Sequence, residues 1–133
     1  MTCKSAKQMV ITIHAQKYLR KDWSFDFDGQ PFHDFLAGVI TDMERLGVDL
    51  TVVRNQDSMI TINSYADLLN VVKISSHQDG HSNQCVGHII GKSQGLDILE
   101  DINIAIRRVA FAPETVAPSS EFRKVCHNCG CGC

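Results

Sequence analysis

No stretch of this sequence approaches the run of about 20 apolar residues that a membrane-crossing helix needs. Residues 1–8 also lack the apolar segment of a secretory signal. The expectation is a cytoplasmic protein with no membrane partner. Charge of one sign is scarce as well: 13 Lys and Arg stand against 15 Asp and Glu, for a formal net charge of −2 and a pI near 6.3. The basic spots at 17–21 and at Arg107 and Arg108 are offset by acidic residues, so no basic face for nucleic acid is expected. Proline occurs three times, and Pro113 and Pro118 mark the end of regular structure. Internal repeats are absent.

What is present fits a folded domain. Apolar residues make up 44% of the chain and charged residues 21%, values of an ordinary packed protein rather than a disordered one. A chain of 133 residues is long enough for one core and too short for two. Of six cysteines, only Cys3 and Cys85 lie outside the last eight residues. A disulfide framework ties distant parts of a chain together, and this distribution does not. Metal binding or thiol chemistry is the better expectation.

Apolar spacing outlines the elements. Residues 9–15 are rich in β-branched side chains and predict a strand. Residues 23–27 alternate aromatic and polar side chains before Asp28-Gly29, which suggests a short strand hairpinned with the first. Phe32, Phe35, Leu36, Val39, Ile40, Met43 and Leu46 follow helical spacing, with Pro31 in the first turn and Gly47 just past the end. Residues 48–53 and 59–62 predict two strands, joined antiparallel by the turn formers at 55–58. Ser64 and Asp67 form a capping pattern for a second helix bearing Tyr65, Leu68, Leu69 and Val72. Residues 75–84 are polar and predict a loop, 86–90 a fourth strand, and Ser93 the cap of a third helix bearing Leu96, Leu99, Ile102, Ile106 and Val109. The expected fold is α+β: a ferredoxin-like βαββαβ sandwich with an extra N-terminal hairpin and a C-terminal helix, followed by a flexible Cys-rich tail. Residues 1–112 would form the domain, and 113–133 a Pro/Ser linker and the tail.

The strongest chemical signal is Cys126-His127-Asn128-Cys129-Gly130-Cys131-Gly132-Cys133. It joins one C-x-x-C to two C-x-C steps. Thiolates are soft ligands suited to Cu(I), Zn(II) or an iron–sulfur cluster. Four sulfurs meet the count of a closed zinc site, and His127 offers an optional nitrogen. The interleaved glycines let the backbone turn around a small ion. Cys126, Cys129, Cys131 and Cys133 are therefore the first candidate ligands for a soft metal ion or Fe–S cluster. The same thiols also suit redox exchange or sulfur carriage.

Three weaker signals accompany it. His77, His81, Cys85 and His88 form a secondary metal candidate, because steps of four residues share a face if the segment is helical. The polar residues around them favour a solvated loop instead. Gly91, Lys92 and Ser93 precede a predicted helix and form an anion-binding candidate. Together with Gly87 they resemble a Walker A loop one residue too short, so nucleotide hydrolysis is not expected. Phe25-Asp26-Phe27-Asp28-Gly29 resembles the D-x-D-G motif of haloacid dehalogenase-like phosphatases. The segment before it is polar where that family has a buried strand, and Gln30 replaces the usual Thr, so a turn is the plainer expectation. His14 and His33 are expected to be structural.

Taken together, these signals predict an accessory or regulatory protein that binds or transfers a soft metal through its tail and works with a protein partner or as a homo-oligomer. A thiol redox or sulfur-carrier protein is the alternative, and a small-ligand regulatory module with a redox-switch tail is the third.

Overall fold

The structure, a computed structural model, describes residues 7–19, 21–91, 93 and 95–116. They form an α+β fold with a mixed sheet. The chain runs β1 (Lys7–Tyr18), α1 (Gln30–Arg45), β2 (Val48–Ile62), α2 (Tyr65–Leu69), β3 (Val72–Ser76), β4 (His81–Cys85), α3 (Val86–Ile90) and α4 (Ile98–Phe111). The sheet order is β2-β1-β3-β4. β1 pairs parallel with β2 and antiparallel with β3, and β3 pairs antiparallel with β4.

In β1 the buried Met9, Ile11 and Ile13 alternate with less buried neighbours, the period-two signature of a strand with one face on the core. Helix α1 adds Phe32, Leu36, Val39 and Met43 to that core at helical spacing. Each such side chain contributes roughly 1.5–3 kcal/mol on burial. Helix α4 adds Ile98, Ile102, Ala105, Ile106 and Val109. The same core includes Val116. Gly47, at φ +85°, takes the left-handed conformation that ends α1 and turns the chain into β2.

Several local expectations hold. Ser64 caps α2 by accepting a hydrogen bond from the Asp67 N–H, and Asp67 reaches back to accept one from the Asn63 N–H. Other expectations are corrected. The two strands at 48–53 and 59–62 are one strand: β2 follows β1 along its whole length, and Gln56, Asp57 and Ser58 bulge out between the His14–Asn55 and Ala15–Met59 pairs. An Asx turn, Asp57 N–H to Asn55 Oδ1 at 3.0 Å, satisfies the bulge locally without reversing the chain. Because β1 and β2 lie side by side and parallel, they are not separated by a third strand as in a ferredoxin-like sandwich.

Residues 23–27 are not a strand of a hairpin. Lys21–Trp23 is a 3-10 turn. Phe25 and Phe27 then enter an aromatic cluster with Phe32, at ring centroid separations of 4.7–5.7 Å and edge-on angles, so side-chain packing positions this segment in place of backbone pairing. Residues 86–90 form helix α3, and the predicted loop at 75–84 supplies the ends of a β3–β4 hairpin. Helix α4 is capped by Asp97, which accepts from the N–H groups of Leu99 and Glu100, and not by Ser93.

Candidate functional site

Cys126, His127, Cys129, Cys131 and Cys133 lie outside the described residues, as does Lys92. The described fold delivers the chain toward that thiol segment through the turn Pro113–Thr115 and the buried Val116. Two side chains hold this turn. Arg108 donates from Nε to Thr115 Oγ1 at 2.8 Å, from Nη2 to the Thr115 carbonyl at 3.2 Å and from Nη1 to the Ile89 carbonyl at 2.8 Å. A guanidinium suits this role because its fork serves several acceptors at once. From the sheet side, the His81 ring bonds the Pro113 carbonyl through Nε2 at 3.0 Å.

His81 is buried, and its Nδ1 lies 3.2 Å from Gln84 Nε2. A Gln amide nitrogen only donates and a carbonyl only accepts, so the ring carries its proton on Nε2. Both ring nitrogens are thereby engaged within the protein. The secondary metal candidate is spread over four settings. His77 is exposed in a 3-10 turn, His81 begins β4, Cys85 is buried at the end of β4, and His88 lies in α3. Residues four apart in a strand are about 13 Å apart, so His81 and Cys85 do not share the face that a helix would give them. Among the described residues no group of three or more His, Cys, Asp or Glu side chains is arranged to hold a metal ion.

A cleft of about 360 Å³ opens beside the turn, lined by Asp79, His81, Pro113, Glu114 and Val116. Asp79 on its wall is held by Lys7, whose ammonium lies 2.7 Å from Asp79 Oδ2 and donates to the carbonyls of Val109 and Ala110 at 2.8 and 2.9 Å. A cation at these carbonyls also meets the negative end of the α4 dipole. Burial pulls the Asp79 carboxyl upward, but hydrogen bonds from Lys7 and from Ser76 Oγ outweigh it and hold the group below its usual range.

Of the anion-binding candidate, Gly91 and Ser93 are described. Ser93 Oγ donates to Asp101 Oδ2 at 2.6 Å and accepts from the Leu96 N–H at 2.9 Å. Tyr65 OH donates to the same carboxylate oxygen in a short hydrogen bond. Asp97, Glu100 and the buried Asp101 all lie at the N-terminal end of α4. Their negative charge opposes an anion there. Burial and the Asp101 bond push the Tyr65 phenol well above its usual range.

The D-x-D-G segment is a turn. Asp26 Oδ1 accepts from the Asp28 N–H, and Asp28 pairs with Arg54 at 2.9 Å. An added Cβ at Gly29 would meet Asp26 Oδ2 at 2.6 Å, so the Asp26 carboxylate would have to turn aside. His14 is buried, and its Nδ1 has no hydrogen-bond partner. Burial, with Lys73 nearby, lowers its pKa.

Sequence reasoning missed the Asp79–Lys7 pair and the cleft, for which no local pattern gives a signal. Asp101 did carry one. It falls between Ile98 and Ala105 at steps of three and four, on the stripe that α4 buries, and a carboxylate on such a stripe needs donors. No described helix is long and apolar enough to cross a membrane. Comparison with models of protein families, with curated proteins and with solved structures finds no match.

Proposed function

We propose that this protein is a small accessory or regulatory protein that binds or transfers a soft metal through Cys126, Cys129, Cys131 and Cys133, with His127 as an optional ligand. The observation that carries the reading is the sequence pattern itself, four thiols in eight residues with glycine between the last three. Thiolates at these spacings match Zn(II), Cu(I) or an Fe–S cluster in donor softness, and Cys₄ is a complete ligand set for structural zinc. A protein partner or a second copy would receive the ion or complete its coordination.

The second reading is a thiol redox or sulfur-carrier protein, favoured by the C-x-x-C step at Cys126 and Cys129. Elemental analysis with native mass spectrometry separates the two, on anaerobically purified protein and on a variant with Ser at all four tail cysteines. Metal in near-stoichiometric amount on the first and none on the second is the expected result. Metal-free protein that cannot be reloaded overturns the metal reading and leaves thiol exchange, read as rapid alkylation of one tail cysteine at neutral pH.

A further inference from the structure

We infer that His14 is the trigger of an acid-sensitive joint in the sheet: its protonation frees residues 15–17 of β1 from residues 59–61 of β2, while the rest of the fold stays closed. Nothing in this joint depends on the thiol segment. Three observations meet at the residue. The first is the ring itself. His14 is 9% exposed, and its Nδ1 is buried with no hydrogen-bond partner. A neutral imidazole tolerates one bare nitrogen, because that nitrogen can be the unprotonated one. The protonated ring carries a donor on both nitrogens, and a buried charged donor without an acceptor is costly.

The surroundings add to that cost. Thr12 pairs with Lys73 across β1 and β3, so Lys73 is the diagonal neighbour of His14. Burial first, and then the charge of Lys73, disfavour the imidazolium, and no acidic group among the described residues acts against them. From the turn before β3, the Val71 carbonyl accepts the His14 N–H and Asn70 Oδ1 accepts from the Lys73 ammonium. On β2 the residue opposite His14 is the neutral Asn55. Of the ionisable residues beside Asn55, Arg54 donates to Asp28 Oδ1 and the Phe27 carbonyl, and Asp57 is exposed in the bulge.

The second observation is place in the ladder. The β1–β3 register ends at Ile13–Val72, and the His14 carbonyl accepts from the Gln16 side chain at 2.5 Å. On the other side the β2 partner jumps from Asn55 to Met59 across the bulge. Beyond His14, β1 is therefore paired with β2 alone among the described strands. The third is burial. The pairs Ala15–Met59, Gln16–Ile60 and Lys17–Thr61 contain no buried residue. They lie between two anchors: Ile11 and Ile13 in the core on one side, and on the other Ile62, fully buried, opposite Tyr18, whose OH donates to the Phe25 carbonyl. A short ladder without buried side chains opens at lower cost than the sheet as a whole. Opening brings the ring to water, where it takes its proton at the ordinary pKa of 6.5. Mild acid then draws the joint open, because the open form binds the proton that the closed form refuses.

The test is amide hydrogen exchange on the full-length, reduced, metal-free chain at pH 7.5, 6.5 and 5.5, corrected for the intrinsic pH dependence of exchange. It is run on the native chain, on H14L and on K73M. The Lys17 and Ile60 amides report the joint, since the parallel register and the Leu19 N–H to Ile62 carbonyl bond place both inside the ladder. Their protection should fall by up to about tenfold between pH 7.5 and 5.5, the factor that a group of pKa 6.5 contributes one pH unit below its pKa. Ile11, Ile102 and Ile106 should keep theirs. The fall should vanish in H14L and shrink in K73M, where the closed ring meets less repulsion; K73M decides alone if H14L does not fold. No fall in the native chain, an equal fall in H14L or an undiminished one in K73M overturns the inference. A fall shared by the α4 amides overturns it too, because acid then unfolds the chain as a whole.

Discussion

The Lys7 ammonium lies 2.7 Å from Asp79 Oδ2 while also donating to the Val109 and Ala110 carbonyls. One side chain thus joins the start of β1 to the β3–β4 turn and to the end of α4, which lie about 70 and 100 residues from it in sequence. Lys7→Met should lower stability by about 2–3 kcal/mol, because it takes the Lys7 donor from two helix-end carbonyls and from a partly buried carboxylate that then keeps only its bond from Ser76 Oγ. Asp79→Asn keeps a polar partner and should cost about 1 kcal/mol. Urea unfolding midpoints of the two variants measure the difference.

The pH dependence of stability follows from His14. Its folded-state pKa lies below the ordinary 6.5, first through burial and then through Lys73. The unfolded chain therefore takes up the proton first as pH falls. Stability from this group is complete above pH 6.5 and declines as pH drops from there toward the folded-state value. Asp79, whose pKa is also lowered, adds a second loss at more acid pH, below its ordinary 3.8. Denaturation midpoints between pH 7.5 and 5 should fall in the native chain and change less in His14→Leu.

The chain has two tyrosines, Tyr18 and Tyr65. Burial raises both phenols, aided at Tyr65 by its bond to Asp101, and at Tyr18 by nearby Asp26 and Asp28. Absorbance at 295 nm should show well under half of the tyrosinate signal at pH 10 in the folded protein, while protein in urea titrates normally. Half-ionisation of both rings near pH 10 in the folded state would contradict this environment.

Tyr65→Phe removes one of two donors to a buried carboxylate, and Ser93→Ala removes the other. Each should cost about 1–3 kcal/mol. The double variant should lose more than the sum, because Asp101 then has neither hydroxyl. A thermodynamic cycle from denaturant titrations reads the coupling.

Gly29→Ala places a Cβ against Asp26 Oδ2 and should destabilise the fold by about 1 kcal/mol, a typical cost of local strain. In an Asp26→Ala background the obstructing carboxylate is gone, and most of that cost should disappear. Equal losses in both backgrounds would show that the clash is not the cause.

What the sequence determined by itself was local. The apolar stripe from Phe32 to Met43, the Ser64–Asp67 cap and the β-branched run of β1 were legible because side-chain spacing and capping act within a few residues. The spacing of the four thiols at 126–133 is likewise a local sequence pattern. Partner choice was not legible. Residues 55–58 have the composition of a turn, yet β1 offers β2 a partner on both sides of them, and a bulge satisfies the turn formers without reversing the chain. Val86, Ile89 and Ile90 suit a strand, but beyond Cys85 they form α3, which packs against α4. Asp79, His81 and Glu114 meet only because β4 and the end of α4 converge. Such pairings are set by which distant surfaces bury one another, so only the tertiary structure decided where the cleft lies and how Lys7, His81 and Arg108 hold its walls.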